Sequence, residues 1–329
     1  MKYAVVTFTQ QGDKIAEILA TNLDIDLFSK KKQSDFNFME VSKKVMESYK
    51  GIIFISSTGI AVRAIAPYIK SKNLDPAVLV IDNSCNYVIS LLSGHLGGAN
   101  KLTLEVSRLL SAQPIITTAT DNLGISAPDM IAKDNELIIE DLQKAKEIAA
   151  LLVEGKKVGF FDEKEIVQTP TGYSSSLEGI SGLLYVGSSE NINNHLVYHI
   201  EPTLKLIRRN IVLGIGCRKD FPTEKMKLTV LKMLKEYNIY NKSILYIATV
   251  DVKKDEIAIK DLVEYFNCHL KIFTTEDIRQ IQHKFNGSDF VEKTIGVRAV
   301  CEPCTELSGA RIIISKIKLD GMTLCIGEV

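Results

Sequence analysis

The chain has 329 residues, 46% of them apolar and 24% charged, a balance typical of globular proteins with buried cores. Its 40 lysines and arginines match its 40 aspartates and glutamates, which removes the general basic field expected of a nonspecific nucleic-acid binder. The N-terminal apolar stretch is too short for a signal peptide, no apolar run approaches a membrane span, and the six scattered cysteines do not make a disulfide framework. We therefore expect a cytoplasmic protein of two or three domains.

Strand-like and helix-like segments alternate through residues 1–126. Such alternation predicts an α/β fold whose N-terminal domain has three layers and a mostly parallel sheet. The predicted strands are 3–8, 52–55, 77–81, 87–92 and 114–117, and the predicted helices lie near 15–23, 38–49 and 99–110.

The rest of the chain divides in two. Residues 127–208 read as a smaller middle α/β segment, with a helix near 141–153 and strands at 158–161, 183–186 and 196–198. A fresh α/β pattern begins at Ile211 and predicts a separate C-terminal domain over 209–329. Its predicted strands are 211–216, 243–249, 272–273, 312–314 and 323–326, and its predicted helices are 223–237, 256–266 and 275–282.

Polar residues follow several predicted strands, and ligands bind at the carboxyl ends of strands in open α/β sheets. After strand 52–55, Thr58 and Gly59 present N–H groups at a helix start, which favours anions, and Arg63 can grip a carboxylate. A helix cap with a solvated arginine is the alternative interpretation. We expect this cluster to share a sheet edge with the two clusters that follow.

A histidine surrounded by glycines follows strand 87–92. Glycines allow a ligand to approach the backbone closely, and His95 can exchange protons near neutral pH. A histidine packed at a tight turn is the alternative. The surrounding residues are Ser93, Gly94, Gly97, Gly98 and Asn100. This glycine spacing matches neither the dinucleotide fingerprint nor the phosphate-binding loop.

After the last strand of the first domain come Thr118, Thr120 and Asp121. Asp121 is suited to orient a histidine or accept a proton, and capping a turn is the alternative. In the last domain, Gly216, Arg218 and Lys253 lie in strand-end loops that can hold an acidic ligand or can simply be solvated turns.

Metal signals are poor. The segment 301–304 is a single Cys-x-x-Cys without a second pair, and His195 and His199 lie on a strand-like segment where they need not share a face. We therefore expect no protein-bound metal. No Gly-x-Ser-x-Gly elbow for an acyl-enzyme route is present either.

Taken in order, these motifs resemble the cobalamin biosynthesis protein G family. The matching segments are 58–67, 75–78, 90–100 and 117–121, followed by 214–218, 248–253 and the Cys-Glu-Pro of 301–303 that contains Glu302. The Leu-Ser-Gly-His-Leu-Gly-Gly block of residues 92–98 is highly specific, whereas the middle segment matches only in general character. Cys304 departs from the small residue expected there, which weakens a redox role for the Cys-x-x-Cys.

The resemblance implies a hydrolase of the anaerobic vitamin B12 pathway. Members open the ring-A δ-lactone of cobalt-precorrin-5A and release a two-carbon fragment as acetaldehyde, giving cobalt-precorrin-5B. The substrate carries the cobalt, so no cofactor is implied. A homodimer and transient contacts with neighbouring pathway enzymes are generic expectations, and neither nucleic acid nor membrane is an expected partner. A non-catalytic protein that binds and passes on the corrinoid intermediate is the competing hypothesis.

Residue chemistry suggests roles within that reaction. We expect His95 to act as acid and base, Asp121 to orient it or to share the proton transfer, and the N–H groups of Gly97 and Gly98 to stabilise an oxyanion. Cations would hold the carboxylate arms of the macrocycle, and net charge agrees, since the two end domains are mildly basic and the middle segment is acidic. The expected cations are Arg63, Arg218 and Lys253, and the other expected substrate contacts are Thr58, Gly59, Ser93, Gly94, Asn100, Thr118, Thr120, Gly216 and Glu302.

Overall fold

The computed structural model describes residues 2–71, 74–192 and 200–329, without the side chains of residues 121 and 122. The predicted strand at 196–198 lies outside this range. The chain forms two compact units. The first comprises Met1–Asp134, Ala149–Lys156 and Pro170–Tyr173, and the second comprises Asn135–Ile148, Lys157–Thr169 and Ser174–Val329. The division into 1–126, 127–208 and 209–329 stays a prediction.

The first unit is built on a six-stranded sheet in the order β2-β1-β3-β4-β5-β6. Its elements are β1 (Tyr3–Thr7), α1 (Gln10–Ala20), β2 (Ile25–Ser29), α2 (Phe38–Ser48), β3 (Gly51–Ile55), α3 (Thr58–Ile65), β4 (Ala77–Ile81), β5 (Tyr87–Leu92), α4 (Ala99–Leu110), β6 (Gln113–Ile115), α5 (Ala119–Asn122) and α6 (Pro128–Asp134).

Helices cover both faces of this sheet because successive strand residues point to opposite sides. One core lies between the sheet and the helices α1 and α4, and the other lies between the sheet and α2 and α3. Each buried aliphatic side chain contributes about 1.5–3 kcal/mol through removal from water. The first core includes Val5, Ile15, Leu19, Ile53, Leu79, Leu102 and Val106, and the second includes Val6, Val45, Phe54, Ala61, Ile65 and Val80. The predicted three-layer, mostly parallel domain is confirmed.

The direction of β5 decides where the loops of this unit lie. Strands β1 to β4 are mutually parallel, β5 runs antiparallel to β4, and β6 is parallel to β5. The carboxyl ends of β5 and β6 therefore lie at the sheet edge opposite to those of β1 to β4. Our expectation that Arg63, after β3, shares an edge with His95, after β5, is wrong for this reason.

The second unit contains two further sheets, one of four strands in the order β7-β10-β9-β8 and one of five in the order β13-β12-β11-β15-β14. Helix α7 (Leu142–Val153) contributes residues to both units. The other elements are β7 (Ile138–Ile139), β8 (Val158–Asp162), β9 (Gly182–Gly187), β10 (Thr203–Ile207), β11 (Ile211–Cys217), α8 (Thr223–Glu236), β12 (Ile244–Val250), α9 (Ile257–Phe266), β13 (His269–Phe273), α10 (Thr275–Ile281), α11 (Asp289–Ile295), α12 (Cys301–Leu307), β14 (Arg311–Leu319) and β15 (Met322–Glu328).

A smaller middle α/β part and a C-terminal α/β part are thereby confirmed as fold classes. Strands β11, β12 and β13 are parallel, and β11 also pairs with β15 of the antiparallel hairpin of β14 and β15. No helix in the described part of the chain is both long and apolar enough to cross a membrane.

Candidate active site

The loop that carries His95 is a tight turn between β5 and α4. Ala99 N–H donates to the Ser93 carbonyl at 3.1 Å, and Gly98, the N-cap residue before α4, lies in the left-handed region at φ 86°. A Cβ on Gly97 would lie 2.3 Å from the Ser93 Cβ and 2.8 Å from its carbonyl oxygen, so no side chain fits there. The turn itself therefore requires these glycines, and their presence alone does not indicate a ligand.

One of the two N–H groups that we expected to stabilise an oxyanion is already used within the loop. The N–H of Gly98 donates to the His95 carbonyl at 3.0 Å, so it is committed to the turn, and that part of our expectation is wrong. The role of oxyanion donor would then fall on the N–H of Gly97 alone.

Ser93, in the same loop, has a strained backbone with φ 58°, and such strain concentrates at functional sites. Its buried Oγ has no hydrogen-bond partner among the described residues.

His95 lies between a hydroxyl group and a carboxylate. Its Nε2 is 3.3 Å from the Oγ1 of Thr120, which lies in α5. Its Nδ1 is 3.6 Å from an Oδ1 of Asp129, in the first turn of α6, and the two side chains are 9% and 10% exposed. The fold thus assembles a buried row of hydroxyl, imidazole and carboxylate from three separate segments.

The surroundings of this row favour one tautomer of His95. An ionised carboxylate only accepts hydrogen bonds, so Asp129 favours a proton on Nδ1 and leaves the lone pair of Nε2 facing Thr120.

The charge of Asp129 also affects Tyr173. Burial, and secondly the negative charge of Asp129, raises the pKa of Tyr173. Tyr173 therefore stays a neutral phenol in the field of Asp129.

Asp129 is a residue that sequence reasoning missed. It follows Pro128 at the start of a short helix, a position where an aspartate is ordinarily read as a cap. The side chain of Asp121, which we expected to orient His95, is not among those described, so its pairing with His95 stays a prediction. Lys133 was also missed, and its Nζ donates to the Leu96 carbonyl in the His95 loop at 3.0 Å.

Asn100 holds the loop against the segment that follows β6. Its side-chain oxygen accepts from Ser90 Oγ at 2.6 Å, and its Nδ2 donates to Thr118 Oγ1 at 2.8 Å. Asn100 is buried, and a Cβ on Gly94 would lie 2.7 Å from its Oδ1. Asn100 and Thr118 therefore fix the relative position of the two segments that supply His95 and Thr120.

The third cluster expected in this domain lies elsewhere. Thr58, Gly59 and Arg63 are exposed on α3, which follows β3 at the opposite sheet edge. Ser57, the residue that precedes α3, makes no side-chain cap hydrogen bond. The structure therefore brings together the residues after β5 and β6 and separates them from Arg63.

In the second unit, Gly216, Arg218 and Lys253 lie at the carboxyl ends of β11 and β12. Lys253 pairs with Glu256 at 3.5 Å, and both side chains are largely buried. The exposed guanidinium of Arg218 lies over the ring of Phe221 at 5.8 Å. Lys253 thus has a carboxylate partner already, whereas Arg218 keeps its charge at the surface.

Glu302 has a partner within the protein as well. Its Oε1 accepts from the backbone N–H of Lys316 at 3.2 Å, and its Oε2 lies 3.7 Å from the Lys316 ammonium. The neighbouring Cys301 and Cys304 are buried thiols on α12, and all six cysteines of the chain are free. Burial raises the pKa of Cys301 to about 11 and that of Cys304 further, so neither forms a thiolate readily.

Three consecutive parts of the chain match known protein families. Residues 40–121 match "Cobalamin synthesis G N-terminal", residues 126–178 match "Cobalamin biosynthesis central region", and residues 211–327 match "Cobalamin synthesis G C-terminus". The chain belongs to the cobalamin synthesis G family. The resemblance inferred from the sequence motifs is confirmed.

Full-length relatives of this family member are named as enzymes. The chain is 33% identical to the cobalt-precorrin-5A hydrolase of Salmonella typhimurium, over 98% of its own length and 97% of the relative's. It is 29% identical to the cobalt-precorrin-5A hydrolase of Priestia megaterium, over 99% and 95% of the two chains. A crystal structure of a cobalamin biosynthesis protein G homologue from Sulfolobus solfataricus is 22% identical, covers 99% of this chain and 97% of its own, and has a TM-score of 0.41.

Proposed function

We propose that this chain hydrolyses cobalt-precorrin-5A, opening its ring-A δ-lactone and releasing acetaldehyde to give cobalt-precorrin-5B. The observation that carries the proposal is the buried row of Thr120, His95 and Asp129, which supplies a proton acceptor within a full-length relative of named cobalt-precorrin-5A hydrolases. Binding alone requires no such row, which favours catalysis over the carrier hypothesis.

The chemistry needs a base twice. In lactone opening, His95 Nε2 takes the proton of the attacking hydroxyl group, and Asp129 stabilises the imidazolium that forms. The N–H of Gly97 is the proposed oxyanion donor. In the second step a base removes the proton of the liberated hydroxyl. The carbon–carbon bond then breaks, its electron pair stays on the macrocycle, and acetaldehyde leaves. The His95 imidazole serves both steps.

Carboxylate arms of the substrate need cations. We assign Lys133, held against the His95 loop, to this role in the first unit, in place of Arg63. In the second unit we propose the exposed Arg218 as a carboxylate ligand, whereas Lys253, which already pairs with Glu256, stays a prediction from the sequence. Since cobalt arrives with the substrate, the proposal includes no protein-bound metal, and the free cysteines support a cytoplasmic location.

A single incubation tests the proposal. Purified protein is mixed with cobalt-precorrin-5A, acetaldehyde is quantified, and the macrocycle is followed by mass spectrometry. We expect one acetaldehyde for each cobalt-precorrin-5B formed. Tight binding of the macrocycle without acetaldehyde would instead establish a carrier, and the absence of both binding and turnover would contradict the hydrolase and carrier hypotheses alike.

A further inference from the structure

We propose that the hydroxyl group that attacks the lactone is the side chain of Thr120, so that opening passes through an ester on its Oγ1. The inference rests on the proposed lactone hydrolysis and specifies its nucleophile. The sequence offers no serine elbow for such a route, and the nucleophile becomes apparent only when the fold places Thr120 beside His95.

The first support is the order of groups along the row. Thr120 Oγ1 lies 3.3 Å from His95 Nε2, and His95 Nδ1 lies 3.6 Å from Asp129. A hydroxyl within reach of a base, with that base oriented by a third group, is the arrangement by which enzymes activate alcohol nucleophiles, and it is often looser without substrate. The proton of Thr120 thus has an acceptor already in place.

The second support is the burial of Thr120, which is 6% exposed. The lone pair of Nε2 faces this hydroxyl, so a water activated by the same nitrogen would first have to displace it. Threonine is also branched at Cβ, which restricts its χ1 rotamers and so limits the directions open to the hydroxyl. The Thr120 hydroxyl therefore already occupies the position beside His95 Nε2 that an attacking water would have to take.

The covalent step balances with water as its only co-reactant. The Thr120 Oγ1 bonds to the lactone carbonyl carbon as its proton moves to Nε2, and the ring carbon–oxygen bond breaks as the leaving alkoxide takes that proton. Water then gives a proton to Nε2 and attacks the ester carbonyl. The bond from Oγ1 breaks, Thr120 regains a proton, and the acetate arm leaves as a carboxylic acid.

The test compares Thr120→Val, which keeps the shape and loses the hydroxyl, with Thr120→Ser, which keeps the hydroxyl. Thr117→Val is the matched control, because Thr117 is exposed in the same segment. Single-turnover acetaldehyde release is measured alongside thermal melting and binding of the coloured macrocycle. We expect Thr120→Val to lose about 10³-fold in rate, Thr120→Ser to stay within about tenfold, and Thr117→Val to match wild type.

A second readout separates a nucleophile from a residue that only positions His95. Wild-type single turnovers are quenched in acid through the rise of product, and the peptide containing Thr120 is examined by mass spectrometry. We expect a macrocycle ester on that peptide, absent in Thr120→Val. The inference is overturned if the wild-type peptide is never modified, or if folded Thr120→Val keeps more than about a tenth of the rate. Acetaldehyde release by the wild type in either case leaves the proposed function standing.

Discussion

Replacing Asp129 by asparagine removes the charge next to His95 while keeping the shape of the side chain. The two charges lie 3.6 Å apart when His95 is protonated, and both side chains are about nine-tenths buried. At an effective dielectric constant of about 20, unit charges at this distance interact by about 4–5 kcal/mol. Each 1.36 kcal/mol corresponds to a factor of ten in rate, and asparagine retains part of the contact, so we expect kcat to fall by about 10²–10³.

The assay is acetaldehyde release at saturating cobalt-precorrin-5A, with thermal melting to confirm the fold. Asp134→Asn is the matched control, since it makes the same chemical change at the exposed far end of α6. A rate of acetaldehyde release by folded Asp129→Asn within about threefold of the wild-type rate would refute this prediction, because the imidazolium would then form without help from this carboxylate.

Three further predictions concern stability and substrate binding. Gly97→Ala should lower the free energy of unfolding by about 1–3 kcal/mol in thermal or urea melts, because its Cβ would overlap the Cβ and the carbonyl oxygen of Ser93. Gly59→Ala is the contrasting variant. Its Cβ meets nothing nearer than 3.7 Å, so this change should leave the free energy of unfolding unchanged or raise it. Burial alone would raise the pKa of Asp162, but hydrogen bonds from Arg208 and from backbone N–H groups outweigh it and hold the pKa below 3.8. The stability that this carboxylate contributes is therefore present above about pH 3.8 and is lost as the pH falls further. When the free energy of unfolding is measured against pH, Asp162→Asn should show a smaller loss of stability in acid than the wild type. An equal loss in both proteins would contradict the prediction. Lys133→Ala should raise KM by about three- to tenfold with kcat unchanged and should lose its effect at high salt, and an equal loss in kcat would count against a role in binding.

Local patterns in the sequence predicted most elements of the fold. Continuous apolar runs marked β3 and β4, and apolar residues at helical spacing marked α1, which the structure places at Gln10–Ala20. Strand β2 was missed because Asp26 and the closing Ser29 break up its apolar residues. Helix α12 is hard to predict from the sequence because its segment Cys-Glu-Pro-Cys has the spacing of a metal-ligand motif.

The reversal of β5 can be predicted from the length of one loop. Only residues 82–86 separate β4 from β5, and a parallel connection needs about a dozen residues. The turn is instead a hairpin in which Tyr87 N–H donates to the Asp82 carboxylate at 2.7 Å. The length of this loop alone therefore places Arg63 and His95 at opposite edges of the sheet.

The side chains that contact His95 could not be predicted from local sequence patterns. Asp129 is 34 positions away from His95 in the sequence and is brought to its Nδ1 by the packing of α6, which no local pattern specifies. The sequence marked Thr120 as a polar residue after a strand, but its contact with Nε2 depends on the short helix α5 and on the Asn100 network. The histidine was predictable from its glycine-rich block, whereas the groups that give it a function required the fold.

The most direct test of the account is the rate of acetaldehyde release from cobalt-precorrin-5A by the wild type and by His95→Gln. Glutamine retains polar contacts with Thr120 and Asp129 but cannot exchange protons near neutral pH. We predict that the wild type releases one acetaldehyde per macrocycle and that folded His95→Gln binds the macrocycle but releases acetaldehyde at least about 10³-fold more slowly. Release by His95→Gln at the wild-type rate would contradict this prediction.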